Sequence, residues 1–163
     1  MTNTYTQIYI HYVFAIEIRL RHLTEERQKE LYAYSAGIIK ELNCFLQCIG
    51  GMEDHIHILV GLHPTLSVSE FAQKIKANTS RFINEKGWAL GKFKWQSGFG
   101  AFSVSQSGLE KTRNYIHNQK EHHQHKSFSN EYETFLTQYR IEYDKQYVFH
   151  DPDTTIENND TTP

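Results

Sequence analysis

Residues 45–62, FLQCIGGMEDHIHILVGL, constrain the fold of this 163-residue chain more than any other stretch. Two apolar runs flank Gly50-Gly51-Met52-Glu53-Asp54, a group of turn-forming residues, and so predict an antiparallel hairpin of strands 45–49 and 56–62. Alternate side chains of a strand share a face. Ile56, Ile58, Val60 and Leu62 therefore point one way, and His55, His57, Leu59 and Gly61 the other. The hairpin sets two imidazoles side by side in the middle of a sheet.

The rest of the chain supplies partners for that hairpin. Residues 5–18, YTQIYIHYVFAIEI, are aromatic and β-branched and predict a long first strand. A helix follows, with Thr24 as N-cap, Glu25 and Glu26 in its first turn, and Leu31, Tyr34, Ile38 and Leu42 at helical spacing. Ser67-Val68-Ser69-Glu70 is a capping box that opens a second helix with the apolar stripe Val68, Phe71, Ile75, Phe82 and Ile83, closed by Gly87. Its outward face carries Lys74, Lys76 and Arg81. GKFKWQSGFGAFSVS predicts a loop leading into a fourth strand over 101–104. Ser107-Gly108-Leu109-Glu110 reads as a second capping box, starting a helix that runs to about His123; a short helix over 130–139 and an extended stretch over 143–149 follow. This order predicts an α+β fold, an antiparallel sheet of split β-α-β-β-α-β (ferredoxin-like) type with helices packed on it.

Residues 1–150 are expected to form one domain. The last thirteen residues hold four carboxylates, no base and one aliphatic side chain, which predicts a disordered acidic tail over 151–163. No run reaches the ~18 apolar residues of a membrane span, and the N-terminus has no signal-peptide pattern, so the expected compartment is the cytoplasm. Cys44 and Cys48, the two cysteines, are expected to be free, partly buried thiols. The net charge of −2 conceals an asymmetry: residues 74–126 carry ten lysines and arginines against three carboxylates.

Two groups of residues carry chemistry. Imidazoles at i and i+2 on a strand make a metal-chelating arrangement that needs one or two more ligands, or else are two core histidines bonded to their neighbours. Asp54 is either a partner for an imidazole N–H or a turn residue. In KTRNYIHNQKEHHQH, Tyr115 and Gln119 lie four apart, adjacent on one helix face, with Tyr115 near the edge of the apolar face. Tyr115 is a candidate nucleophile or simply a packed tyrosine; His122, His123 and His125 are solvated or phosphate-contacting more readily than zinc-binding. Combined, the groups compose a reaction: a tyrosine attacks a phosphodiester once its oxygens are polarised, and a divalent ion held by His55, His57 and the amide oxygen of Gln119 would polarise them. No phosphate-cradling glycine loop is present in the sequence.

The HIH of DHIHILV resembles the histidine-hydrophobic-histidine motif of HUH nucleases. NYIHNQKEHH resembles the tyrosine helix of their single-tyrosine transposases, of the IS200-like insertion-sequence family, which mobilise the smallest bacterial elements as single-stranded DNA. The likeness continues through IKANTSRFINE, FKWQSGFGAFSVS and IEYDKQYVF. It implies that His55, His57 and Gln119 bind the metal, magnesium or manganese, and that Tyr115 forms a 5′-phosphotyrosine while freeing a 3′-hydroxyl. It also implies an obligate homodimer, in which the tyrosine helix can complete the partner's histidine site, and binding of DNA hairpins at element ends. Glu17 stands where many relatives carry a basic residue, with Arg19 and Arg21 close behind.

The basic stretch suits the same substrate. Lys74, Lys76, Arg81, Lys92, Lys94 and Arg113 are expected to track a phosphate backbone, and Trp95 and Phe99 to stack on unpaired bases. Two rival functions share these features: a domesticated relative acting on repeat hairpins, and a hairpin-binding module with a vestigial metal site.

Overall fold

The computed structural model describes residues 3–17, 23–121 and 127–149. Its elements are β1 (Tyr9–Ala15), α1 (Glu25–Glu41), β2 (Phe45–Gly51), β3 (His55–Gly61), α2 (Val68–Lys86), β4 (Gly100–Val104), α3 (Leu109–His117) and α4 (Phe128–Gln138). The strands form one antiparallel sheet in the order β2-β3-β1-β4, the arrangement a split β-α-β-β-α-β chain must adopt when each helix crosses over a neighbouring strand.

Alternation along the central strands divides the sheet cleanly. Ile10, Tyr12, Phe14 and Ile16 of the first strand region join Ile56, Ile58 and Val60 in a core shared with Leu31, Ile38 and Ile39 of α1 and Phe71, Ile75 and Ile83 of α2. Tyr12 ties this layer down twice, stacking on Phe71 at 4.6 Å between ring centres and donating its hydroxyl to the Val68 carbonyl at 2.9 Å. The other face carries His11, Val13, Ala15, His55, His57 and Leu59 and is covered by α3 and α4.

Local signals place α1 and α2 as the sequence predicts. Thr24 caps α1 through the Arg27 N–H, the Ser67–Glu70 capping box is made in both directions, and Gly87 ends α2 with a left-handed φ of 65°. Cys44 and Cys48 are free and buried.

Four local expectations are corrected. Ser107 does not cap α3: its hydroxyl bonds that of Ser105 at 3.1 Å, residues 106–108 form a 3₁₀ turn, and Gly108 occupies the cap position without a side chain to offer. The tyrosine helix stops at His117, with a turn at Asn118 before Gln119, Lys120 and Glu121 resume helical geometry; asparagine competes for backbone hydrogen bonds and favours such a break. The stretch 143–149 contains a 3₁₀ turn, Lys145–Tyr147, and no strand. The first strand is also shorter than expected, Ile16 making an isolated bridge to Trp95. Arg19, Arg21, the cluster His122, His123 and His125, and the acidic tail lie outside the described residues.

Candidate active site

The register of β3 builds the site. His57 lies opposite Val13 on β1 and Gly50 on β2, and His55 lies opposite Ala15. Small neighbours leave room above the rings for other elements. A Cβ on Gly50 would stand 2.7 Å from the carbonyl oxygen of Ile116, so only glycine lets α3 descend this far onto β2. Gly100 does the same for α4, where a Cβ would meet the ring and hydroxyl of Tyr132 at 2.8 Å. Phe128 then stacks on the His55 ring, 4.0 Å between centres.

Both imidazoles are buried, and each is clamped at Nδ1. His55 Nδ1 donates to Asp54 Oδ1 at 2.6 Å. His57 Nδ1 shares a hydrogen bond of 2.8 Å with Nε2 of a third buried histidine, His11. Their Nε2 atoms both turn to the carboxylate of Glu131 on α4: His57 lies 3.2 Å from Oε1 and His55 3.9 Å from Oε2. Gln119 places Oε1 3.0 Å from His55 Nε2, and its amide N–H groups donate to the Tyr115 carbonyl and to Glu131 Oε1, each at 3.3 Å. The Tyr115 hydroxyl donates to Glu131 Oε1 as well. Its ring stands edge-on to His57 and to Phe135, at 5.8 and 5.2 Å between centres.

The charges follow from this packing. Burial works against a proton on His55, but the hydrogen bond and charge of Asp54, with Glu131 and Gln119, outweigh it and hold the imidazole above its usual range. Burial pushes the Glu131 carboxyl up to about 7, with Asp54 adding to the rise and His55 opposing it. His11, desolvated and facing His57, is held well below the ordinary histidine range and is neutral. His11 Nε2 and His57 Nδ1 share one proton between them, and the tautomer that carries it on His57 Nδ1 presents the Nε2 lone pair of His57 to a cation.

Such an arrangement suits a divalent cation. One ligand atom each from His55, His57 and Glu131 fall within 4.8 Å of one another, and the amide oxygen of Gln119 adjoins them. Two imidazole nitrogens with one or two oxygens make a donor set for a divalent transition metal, whereas magnesium prefers oxygen ligands alone. Asp54 and His11 are then the outer partners that orient metal-binding imidazoles.

The structure therefore brings together His55, His57, Gln119 and Tyr115, named from sequence, and adds His11 and Glu131, which sequence reading missed. Each left a trace: His11 is a histidine inside an otherwise apolar strand, and Glu131 is a carboxylate within the apolar stripe Phe128, Tyr132, Phe135 and Leu136 of α4.

The basic residues are not gathered here. Lys74 and Arg81 are exposed on α2, which covers the opposite face; Lys92 and Lys94 are exposed on the loop before β4. Lys76 does not face outward: it is half-buried and donates to the carbonyls of Gln96, at 2.8 Å, and Gly98. Arg113 bonds the Gln47 side chain at the β2 bulge. Trp95 is a core residue, 7% exposed, with its indole N–H on Thr79 Oγ1 at 2.9 Å, so its ring faces are packed against protein and offer no platform to a base. Phe99 likewise packs half-buried against the same core.

Solved structures share this fold. A protein of Deinococcus radiodurans R1, whose crystal structure carries the provisional description of transposase, superimposes with a TM-score of 0.57 over 73% of this chain and 95% of its own, at 21% identity. A REP-associated tyrosine transposase, solved bound to a REP hairpin, superimposes with the same TM-score over 76% of this chain and 73% of its own, at 15% identity. No protein of curated description matches the sequence. The family model described as transposase, IS200-like, matches residues 4–119. That span holds both sheet histidines and their His11 and Asp54 clamps and ends on Gln119, one turn after Tyr115; the chain belongs to the IS200-like transposase family.

Proposed function

We propose that the protein cleaves and rejoins single-stranded DNA at hairpin-bearing insertion-sequence ends through a 5′-phosphotyrosine on Tyr115. The observation that carries this reading is the convergence of the Tyr115 hydroxyl and the Nε2 atoms of His55 and His57 on one carboxylate, Glu131. A phenol is a weak nucleophile until its proton is drawn off, and Glu131 Oε1 already accepts that proton's hydrogen bond. In the reaction the Tyr115 oxygen bonds to phosphorus, the bond from phosphorus to the 3′ oxygen breaks, and that oxygen leaves as a hydroxyl after taking up a proton. The phosphotyrosine keeps the energy of the broken bond, so rejoining to another 3′-hydroxyl requires no nucleotide hydrolysis.

His55, His57, Glu131 and Gln119 would hold magnesium or manganese, which polarises the phosphate oxygens. The domain of residues 1–150 would act as a homodimer. Exposed Lys74, Arg81, Lys92 and Lys94 would meet the DNA backbone away from the chemistry, and the REP hairpin bound by the neighbouring transposase favours a folded strand as ligand. Among the described residues no helix is long and apolar enough to cross a membrane.

The test is a labelled single strand carrying an element-end hairpin, incubated with manganese. A covalent protein–DNA adduct is expected, and Tyr115→Phe removes it. A hairpin that binds tightly yet gives no adduct with any divalent metal would make the protein a binding module instead. Mixing Tyr115→Phe with His57→Ala then assigns the tyrosine: recovery of adduct means that it acts on the partner's histidines.

A further inference from the structure

A cleft of about 410 Å³ lies between the start of α3, the end of β4 and α4, with Tyr115 and Glu131 at its floor. Phe135 and Tyr139 form one wall, Lys111 and Thr112 the other, and Ser103 and Ser105 close the end. Among the described residues the Tyr115 ring packs against His11, His57 and Phe135, and the cleft reaches it from the side of Thr112 and Thr134. A phosphate that enters through this cleft to reach its hydroxyl brings an adjoining nucleoside with it.

We propose that the cleft seats one unpaired nucleotide beside the phosphate that Tyr115 attacks, a reading that rests on the catalytic role given to Tyr115 above. The volume is near the small end of the ~300–1,000 Å³ of small-molecule sites and is room for a nucleotide. Tyr139 offers an aromatic ring that is 40% exposed, with Phe102 behind it at 4.8 Å between centres. Such a ring binds a base by stacking, whatever its sequence. Lys111 is exposed at the rim, where it meets a backbone phosphate, and the exposed amide of Gln138 faces the space a base edge would fill. A duplex presents no such free base, so the cleft selects single strands by shape.

Free nucleotides test the seat without any hairpin or chemistry. Each of the common deoxynucleoside 5′-monophosphates is titrated into the metal-free protein and followed by amide chemical shifts, with deoxyribose 5-phosphate as the base-free control. Shifts are expected around Lys111, Thr134 and Tyr139, with nucleotides binding at least ~10-fold more tightly than the control, as one stacked base should give. Thr134→Trp, which fills the cleft from α4, and Tyr139→Ala, which removes its wall, should each abolish that preference while the fold is kept. Equal binding of the control, or shifts confined to other surfaces, would overturn the proposal. The adduct assay is separate: a protein that forms adduct but shows no base preference loses only the seat, and one that binds nucleotides in the cleft but forms no adduct loses the catalytic reading.

Discussion

On β1, Ile10, Tyr12 and Phe14 point to α1 and α2, while His11, Val13 and Ala15, one step out of phase, point to α3 and α4. β3 repeats the division with Ile56 and Ile58 against His55 and His57. The first face is a continuous apolar core in which each buried side chain contributes ~1.5–3 kcal/mol. The second carries three buried imidazoles, an amide and a carboxylate, flanked by two smaller apolar clusters. Buried polar groups cost ~1–3 kcal/mol each when left without partners, and here they are partnered chiefly by one another. One face thus holds the sheet together and lets the other keep a polar cluster that adds little stability of its own.

Neighbouring residues on β3 test this division most sharply. Ile58→Ala should destabilise the protein by ~2–5 kcal/mol, read as a lower denaturant midpoint, while the molecules that remain folded still form adduct. His57→Ala should do the reverse: adduct formation falls by at least ~100-fold, beyond what loss of an orienting partner alone costs, with hairpin affinity nearly unchanged because phosphate contacts dominate binding. Gel-based adduct yields and hairpin titrations on both variants decide the matter. A His57→Ala protein that no longer binds the hairpin would put the hairpin itself, and not only the strand to be cut, on the catalytic face and dissolve the contrast.

The dry face was legible in the sequence, and half of the wet face was. Periodicity finds Leu31, Phe71, Ile75 and Ile83, and the turn residues at 50–54 find the β2-β3 hairpin, because both signals are local. His55 and His57 were legible as a pair on one strand, and Tyr115 with Gln119 as a pair on one helix. His11 and Glu131 were not, because neither has a chemical partner at matching spacing in its own element and each gains meaning only from tertiary placement: His11 lies two places from Val13, the partner of His57, and Glu131 comes from a helix beyond the residues the family model matches. Ser107 failed for a related reason, since a capping pattern cannot reveal that Ser105 will take its hydroxyl. The two glycines that let α3 and α4 descend, Gly50 and Gly100, read as turn and loop residues until the helices are in place.

His11 sharpens the comparison further, because it is the wet face's counterpart of Tyr12 beside it. If its role is to orient His57, His11→Leu should weaken manganese binding by ~10- to 100-fold while changing hairpin affinity little. His11→Gln, whose amide can still meet His57 Nδ1, should recover part of that loss. Isothermal titration of manganese into the three proteins measures it. Equal weakening in both variants would mean that His11 only fills space.

The smallest effect expected is one of pH. In the metal-free protein Glu131 titrates at about 7 and His55 is also held above its usual range, so both retain protons at mildly acidic pH that a free carboxylate and imidazole would have begun to lose. A cation must displace those protons to reach the Nε2 and carboxylate lone pairs. Manganese affinity should therefore fall as pH drops below about 7, by up to ~10-fold per unit for each proton displaced, and the share that Glu131 contributes should level off above it. Ile58 on the opposite face has nothing to titrate, so its alanine variant should follow the same curve as wild type. Glu131→Gln removes the carboxylate's contribution and should flatten the slope, leaving only that of His55. A slope unchanged by Glu131→Gln would show that the carboxylate takes no part in metal binding and that the amide of Gln119 completes the site with the two histidines.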